Sequence, residues 1–432
     1  MKKNIIKYSL LFIFFLVILL LFGQNNTDNI WNYGVSHALR MGELPYLDYN
    51  SITTPLYQFI MSIGLFIYDS YLTFIIEQAI LCLFLVYVME KLIGKNTVFV
   101  LSILFFPVFY IIFANYNFLV ILLFLYLLYL DKNNKSDSII GVVLGLLVLS
   151  KHTVGGFILI FSLFATKNIK RSFKRLLFSV IPMMIFLIYL LVTNTFMNFL
   201  DLGLFGLFDF AENNHHSSLF FLIIMIICFI YTIYSFIKKK DILNYYLLPI
   251  FTLLIPIVDA FHSTYFIPMF LVIIFMREPL SSINIPKRIG VFITIAIILC
   301  NVYRVDVLEK NVYFSSTGRM KYILCDKERK EYVSTVLEKY KSYDKTCMLS
   351  MYSMYFDIES NKKITYFDIP LYGNFGYDGL NKMKKKIDNM HDTYFFILDN
   401  DDVQYANELN RYARKHSKYI ENVYDMEIYY KE

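Results

Sequence analysis

Apolar runs of membrane-crossing character recur along the chain at about 5 to 23, 70 to 90, 97 to 114, 117 to 130, 139 to 150, 153 to 166, 176 to 194, 217 to 237, 242 to 258, 261 to 276 and 288 to 303. Several fall short of the roughly 20 residues that a bilayer core asks for, and the pattern predicts about eleven crossings. After Tyr303 the chain turns charged. Within that tail, 327–341, 379–390 and 403–419 have helical spacing, 345–351 and 393–400 read as strands, and the closing NVYDMEIYY alternates like one more strand. The predicted fold class is therefore mainly α: a polytopic helical membrane domain over 1–303, with a first external loop at 24–69, followed by a small α/β domain over 304–432. The tail has no nucleotide-binding glycine pattern.

The apolar stretch PLYQFIMSIGLFIY at 55–68 decides the orientation of every later segment. If it crosses, Lys91, Lys95 and the blocks KNIKRSFKR and KKK fall outside. If it stays at the outer surface or re-enters, these blocks, with DKNNK and PKR, join Lys2 and Lys3 on the cytoplasmic side, as the positive-inside rule prefers. The second arrangement predicts a cell-membrane protein with a cytoplasmic N-terminus and an extracytoplasmic tail. Its outer loops fall at 24–69, 115–117, around 151, at 195–216 and around 259.

Composition fixes the class more firmly than the count of spans. Of 432 residues, 57% are hydrophobic and only 18% charged, and the mean hydropathy is +0.51, beyond what a water-soluble core requires. The net charge of +6 is spread in short blocks between apolar runs, so the cations read as topology signals and nucleic acid is not the expected partner. Lys2, Lys3 and Lys7 precede the first apolar run as in a signal peptide, but Gly23-Gln24-Asn25-Asn26 is a poor cleavage site, which predicts a retained anchor. Cys82, Cys228 and Cys300 lie in apolar runs. Cys325 and Cys347 share the tail, where pairing stays open.

Ionisable groups at the membrane edge invite a functional reading. Asp28 precedes NIWNYGVSHALRMGEL, whose spacing predicts an interfacial helix. Asp28 can cap that helix, serve as a carboxylate that activates an acceptor, or do both. Lys151 and His152 break GLLVLSKHTVGGFIL, where the plainer readings are a snorkelling lysine and a packing histidine. Asp259 and His262 are one turn apart and suit a structural pair. His215 and His216, near Glu212, raise zinc, but neighbouring histidines point apart.

An Asp just outside the first membrane helix, then the helix with ALRMG, then PYLDYNSITTPLYQF, resembles the first external loop of the GT-C glycosyltransferases. Gly42, Pro45, Tyr46, Asp48, Pro55 and Tyr57 match that loop in order, and the family's segment corresponding to 55–68 lies at the external face. GLLVLSKHTVGGFIL is similar to the family's Gly-rich helix ending in a phosphate-binding Lys. DAFHSTYFIPMFL, with His262 and Tyr265, resembles its late external segment. The likeness covers about the first 300 residues. One departure concerns the family's second acidic residue, for which this chain has Asn115 and Asn117. An amide is a poor anionic metal ligand, so no metal ligands are assigned, and dependence on a divalent cation stays open.

The resemblance implies an integral membrane glycosyltransferase moving a sugar, with inversion, from a polyprenyl-phosphate donor to a cell-surface glycan, lipid or protein. It implies Asp28 as general base and Lys151, His152, Arg40 and His262 around the donor phosphate. Tyr46, Asp48, Tyr57, Asn115, Asn117 and Tyr265 would position substrate. Usage of Lys, Asn, Ile and Tyr points to an AT-rich bacterial genome, hence to undecaprenyl phosphate as carrier. A lipid-sugar flippase and a non-catalytic subunit of a surface polysaccharide system remain the alternatives.

Overall fold

The computed structural model describes residues 2–22, 27–94, 97–105, 115–213, 217–238, 241–255, 257–277, 313–314, 318–321, 324–325, 327–350, 353–364, 370–398 and 404–432. The chain is mainly helical, with a small C-terminal sheet. Among the described residues, five helices are long and apolar enough to cross a membrane. They are Lys2–Phe22, Tyr71–Ile93, Ile169–Val192, Leu219–Lys238 and Ala260–Arg277.

The remaining expected crossings differ in instructive ways. The helices Tyr116–Lys132, Asp137–Ser150 and His152–Ala165 have 17, 14 and 14 residues, about 25 and 21 Å at 1.5 Å per residue, short of a roughly 30 Å hydrocarbon core. The run at 242–258 is broken into Leu243–Leu247 and the 3-10 helix Pro249–Leu254, because Pro249 donates no backbone hydrogen bond to an earlier turn. Thr97–Phe105 forms the first part of the run at 97–114, whose remainder, like the run at 288–303, lies outside the described residues. The stretch at 55–68 holds only the ten-residue helix Leu56–Leu65, about 15 Å long.

Two compact units emerge. One comprises 1–22, 78–188 and 215–308; the other comprises 23–77, 189–214 and 309–432. The boundary thus departs from a single cut after residue 303, since the first external loop groups with the tail.

The first unit is organised around the fully buried Arg175. Its guanidinium pairs with Asp131, and Nε donates to Asp137 at 2.8 Å. Nη1 donates to Ser162 at 3.1 Å and to the Tyr246 hydroxyl at 3.4 Å, so four helices converge on one side chain from a fifth. A nearby cluster joins Lys7 to Glu90 at 2.7 Å, and Lys132 Nζ donates to the Leu92 carbonyl at 2.7 Å. Charges that read as bare topology signals in the sequence are therefore paired at one end of the helices. At the opposite end, Asp137–Ser150 and His152–Ala165 form a hairpin with Lys151 at its tip. A side chain on Gly155 would press to 2.2 Å from the Leu147 carbonyl, so the tight approach requires glycine.

In the second unit, Thr27–Arg40 has Asp28 in its first turn and His37 and Arg40 in its last, matching the helix dipole. The sequence predicts an interfacial helix here, with one face exposed. Instead every residue from Trp31 to Ala38 is buried. Gly34 lies against Met354 of the tail helix Ser353–Glu359, so tail residues cover the face that the sequence leaves unpartnered.

The tail sheet has β1 (Tyr313–Phe314) paired with β2 (Leu324–Cys325), and a separate four-stranded sheet. The latter contains β3 (Thr346–Met348), β4 (Thr393–Leu398), β5 (Lys418–Val423) and β6 (Met426–Lys431), in the order β3-β4-β6-β5. Only β3 and β4 are parallel, with Cys347 opposite Phe395. Alternation along β4 sends Phe395 and Ile397 to a core with Met383, Ile387 and Leu409. Phe396 goes to another with Val336, Tyr340 and Ile428. Where the alternation predicts one closing strand, Tyr424 at φ +57° reverses the chain into the β5–β6 hairpin. Cys347 is a free buried thiol, so it forms no disulfide with Cys325.

Arg175→Ala is expected to destabilise the detergent-solubilised protein by roughly 3–5 kcal/mol, because it strands two carboxylates. The neighbouring Arg171→Ala removes a side chain 41% exposed and should cost less than about 1 kcal/mol; thermal unfolding of both variants checks the contrast.

Candidate functional site

Several of the expected site residues meet in the first unit. Asn115 caps Tyr116–Lys132 by accepting the Phe118 amide at 3.1 Å, which places Asn117 in the first turn. Lys151, extended between two helices, donates from Nζ to Asn117 Oδ1 at 3.0 Å and lies 5.8 Å from the Tyr116 ring. It also acts electrostatically on His262, whose Nδ1 is 2.8 Å from Asp259 Oδ1. Tyr265 is buried one turn further along the same helix.

The cluster is rich in buried groups without a protein partner. The side-chain amide nitrogens of Asn115 and Asn117 and both ring nitrogens of His152 are buried and make no hydrogen bond. Leaving such a group unpaired costs about 1–3 kcal/mol, and native structures hold few of them. Two amide donors, an imidazole and an ammonium at one end of a helical bundle suit an anionic or hydroxyl-rich head group.

The chain matches no family model, no curated protein and no solved structure.

The second unit contains the motif-bearing loop, and there the matching residues build the turn. Gly42, at φ +84°, ends the helix Thr27–Arg40, with the Glu43 amide donating to the Ala38 carbonyl at 2.9 Å, the reach of a Schellman cap. Asp48 Oδ2 accepts the Leu44 amide at 2.7 Å, and the Asp48 amide returns to the Leu44 carbonyl at 2.9 Å. Tyr46 is buried at φ +71° with its hydroxyl donating to the Thr53 carbonyl at 2.8 Å. Tyr57 is also fully buried. These bonds explain the residue pattern through loop geometry.

Asp28 is partly exposed at the start of its helix, and burial pushes its carboxyl up to about 6. Behind it, Asn32 Nδ2 donates to the Asp28 carbonyl at 2.6 Å and Gln58 Nε2 donates to Asn32 Oδ1 at 3.1 Å. Arg40 belongs to this unit and faces Asp69 at 3.6 Å. Asp69 also meets His37 Nδ1 at 2.9 Å and Arg319 Nε at 2.8 Å. Burial alone would raise the Asp69 carboxyl, but His37, Arg319 and Arg40 outweigh it and hold it below the ordinary range.

Neither Asp69 nor Glu43 is among the site residues expected from the sequence. Glu43 is buried with Oε2 unpartnered. Burial pushes its carboxyl up to about 7, against the pull of Lys363 and with the push of Asp48. His215 and His216 lie outside the described residues. No group of three or more His, Cys, Asp or Glu side chains is arranged to hold a metal ion among the described residues.

The raised Glu43 carboxyl makes a signed prediction. Folding favours its protonated form, so the stability tied to that proton is full below about pH 4.5 and lost as pH rises through about 7. Glu43→Gln should leave the unfolding midpoint nearly unchanged at pH 5 and stabilise the protein at pH 8 by on the order of 3 kcal/mol. Thermal melts at the two pH values measure this.

Proposed function

We propose that this chain is an integral membrane glycosyltransferase of the GT-C type, which transfers a sugar from a polyprenyl-phosphate donor to a cell-surface acceptor. The observation that carries this reading is the donor-rich cluster of Lys151, Asn115, Asn117 and His152, whose buried nitrogens face no protein acceptor apart from the Lys151–Asn117 bond. A lipid phosphate supplies the acceptor oxygens that such donors lack. As the sugar leaves, the phosphate gains charge, which preorganised donors stabilise without reorganising.

The short helices fit the same reading. Together with the runs outside the described residues they bring the number of crossings to about eleven, and the hairpin of 14-residue helices sets Lys151 below the plane that a full-length helix would reach. The paired cations at the far end of the first unit favour the cytoplasm by the positive-inside rule, which assigns Lys151 and the tail to the outer side. Asp28 acts as the general base, accepting the acceptor's hydroxyl proton as the oxygen attacks the anomeric carbon. A carboxyl near 6 is ionised at neutral pH yet more basic than an ordinary aspartate.

Mass spectrometry of surface polymers from a strain lacking the chain identifies the missing sugar, and complementation then tests the residues. Asp28→Asn should lower transfer at least about 100-fold with normal membrane abundance and retained donor-lipid binding. Lys151→Ala should weaken donor binding itself. The wild-type rate should fall about tenfold per pH unit below pH 6. Normal transfer by Asp28→Asn would refute the assigned base, and an unchanged surface polymer in the deletion strain would refute the enzyme.

A further inference from the structure

Between the spans Ile169–Val192 and Leu219–Lys238 runs a helical segment comprising Phe196–Phe199, the π-helix Leu200–Phe205 and Gly206–Asn213. Its two sides are chemically opposite. Met197, Leu204, Phe205 and Phe208 are 70, 37, 51 and 71% exposed, and their spacing of seven, one and three residues aligns them along one side. Leu202, Gly203 and Gly206 are buried.

The other side is occupied by the tail. Asp209 Oδ2 accepts the Gly373 amide at 2.6 Å and the Tyr405 hydroxyl at 3.0 Å. Asp201 accepts the Tyr377 amide at 3.2 Å and pairs with Lys382 at 2.5 Å. Between the two carboxylates the backbones touch: a side chain on Gly206 would reach 2.4 Å from the Gly373 carbonyl, and one on Gly373 would reach 2.5 Å from the Gly206 carbonyl.

The chain itself limits what can cover the apolar side. The preceding span stops at Asn194 (φ +56°), where the Thr195 amide donates to the Leu190 carbonyl at 2.9 Å, and the new helix begins two residues later. Five residues after Asn213 separate it from the next span, a reach of about 20 Å. A segment tethered this closely at both ends to membrane spans stays at the bilayer surface. A second ridge in the same unit, Ile63, Phe66, Ile67 and Tyr68, stands just before the span Tyr71–Ile93 and has the same character.

We infer that Phe196–Asn213 is an in-plane membrane helix that rests its apolar ridge in the boundary between lipid head groups and acyl chains and clamps the tail domain to that surface through Asp201 and Asp209. The occupant is the bilayer itself. The inference does not depend on the transferase reading.

The test uses the full chain in phosphatidylcholine–phosphatidylglycerol vesicles. The single tryptophan of the parent, Trp31, is buried, so an added indole is read as a difference signal. Phe208→Trp and Met197→Trp should each lose at least half of the added emission in lipids brominated at acyl carbons 6 and 7, and resist aqueous iodide. Glu212→Trp, on an exposed polar position, should show the reverse. Iodide quenching of the ridge indoles without bromolipid quenching overturns the lipid contact. In the Asp201→Ala/Asp209→Ala double variant, amide exchange across 371–379 should accelerate at least tenfold while bromolipid quenching persists. Unchanged exchange in that variant overturns the clamp.

Discussion

A charge placed among apolar helices must be met by opposite charge and hydrogen bonds, and Arg175 meets that demand for the whole first unit. Asp131, Asp137, Ser162 and Tyr246 come from four helices, so the register of each against the others is set by one planar group with five donors. Apolar packing alone leaves such helices free to slide, because lipid tails are as apolar as their side chains. The guanidinium removes that freedom at one end, and the glycine-tight hairpin carrying Lys151 inherits its position at the other.

The second unit solves a different problem. Its pieces come from three distant parts of the chain, and polar side chains rather than an extended apolar core bind many of the joints. Asp69 gathers His37, Arg40 and Arg319, while Asp201 and Asp209 hold the loop around Gly373. The motif turn at Gly42–Asp48 is likewise closed by its own side chains. Residues that mark this loop in the sequence therefore serve its shape first.

Much of the architecture is readable from the residues. Period-two alternation locates β4, and helical spacing locates three of the four described tail helices within a few residues, missing Ser353–Glu359. Long apolar runs locate the five longest helices. Local patterning fails where tertiary partners decide the outcome. Trp31 to Ala38 look amphipathic because the residues that cover their second side, such as Met354, lie more than three hundred positions away. Tyr424-Asp425 lacks the glycine or asparagine that advertises a tight turn, so the final hairpin looks like one strand. At the candidate site, Lys151, His152 and the two asparagines stand out as polar interruptions of apolar sequence. Their common end of the bundle follows from alternating helix direction. That the side-chain nitrogens of His152 and the two asparagines lack protein partners is a property of packing, which no spacing rule encodes.

The burial of Thr27–Arg40 beneath residues of the tail carries a consequence for biogenesis. The ribosome releases this helix before Arg319 and Met354, with four of the five long apolar helices made in between. Throughout that interval Gly34 and Asp69 await Met354 and Arg319. Assembly of the second unit therefore waits until the segment bearing Arg319 and Met354 has been made.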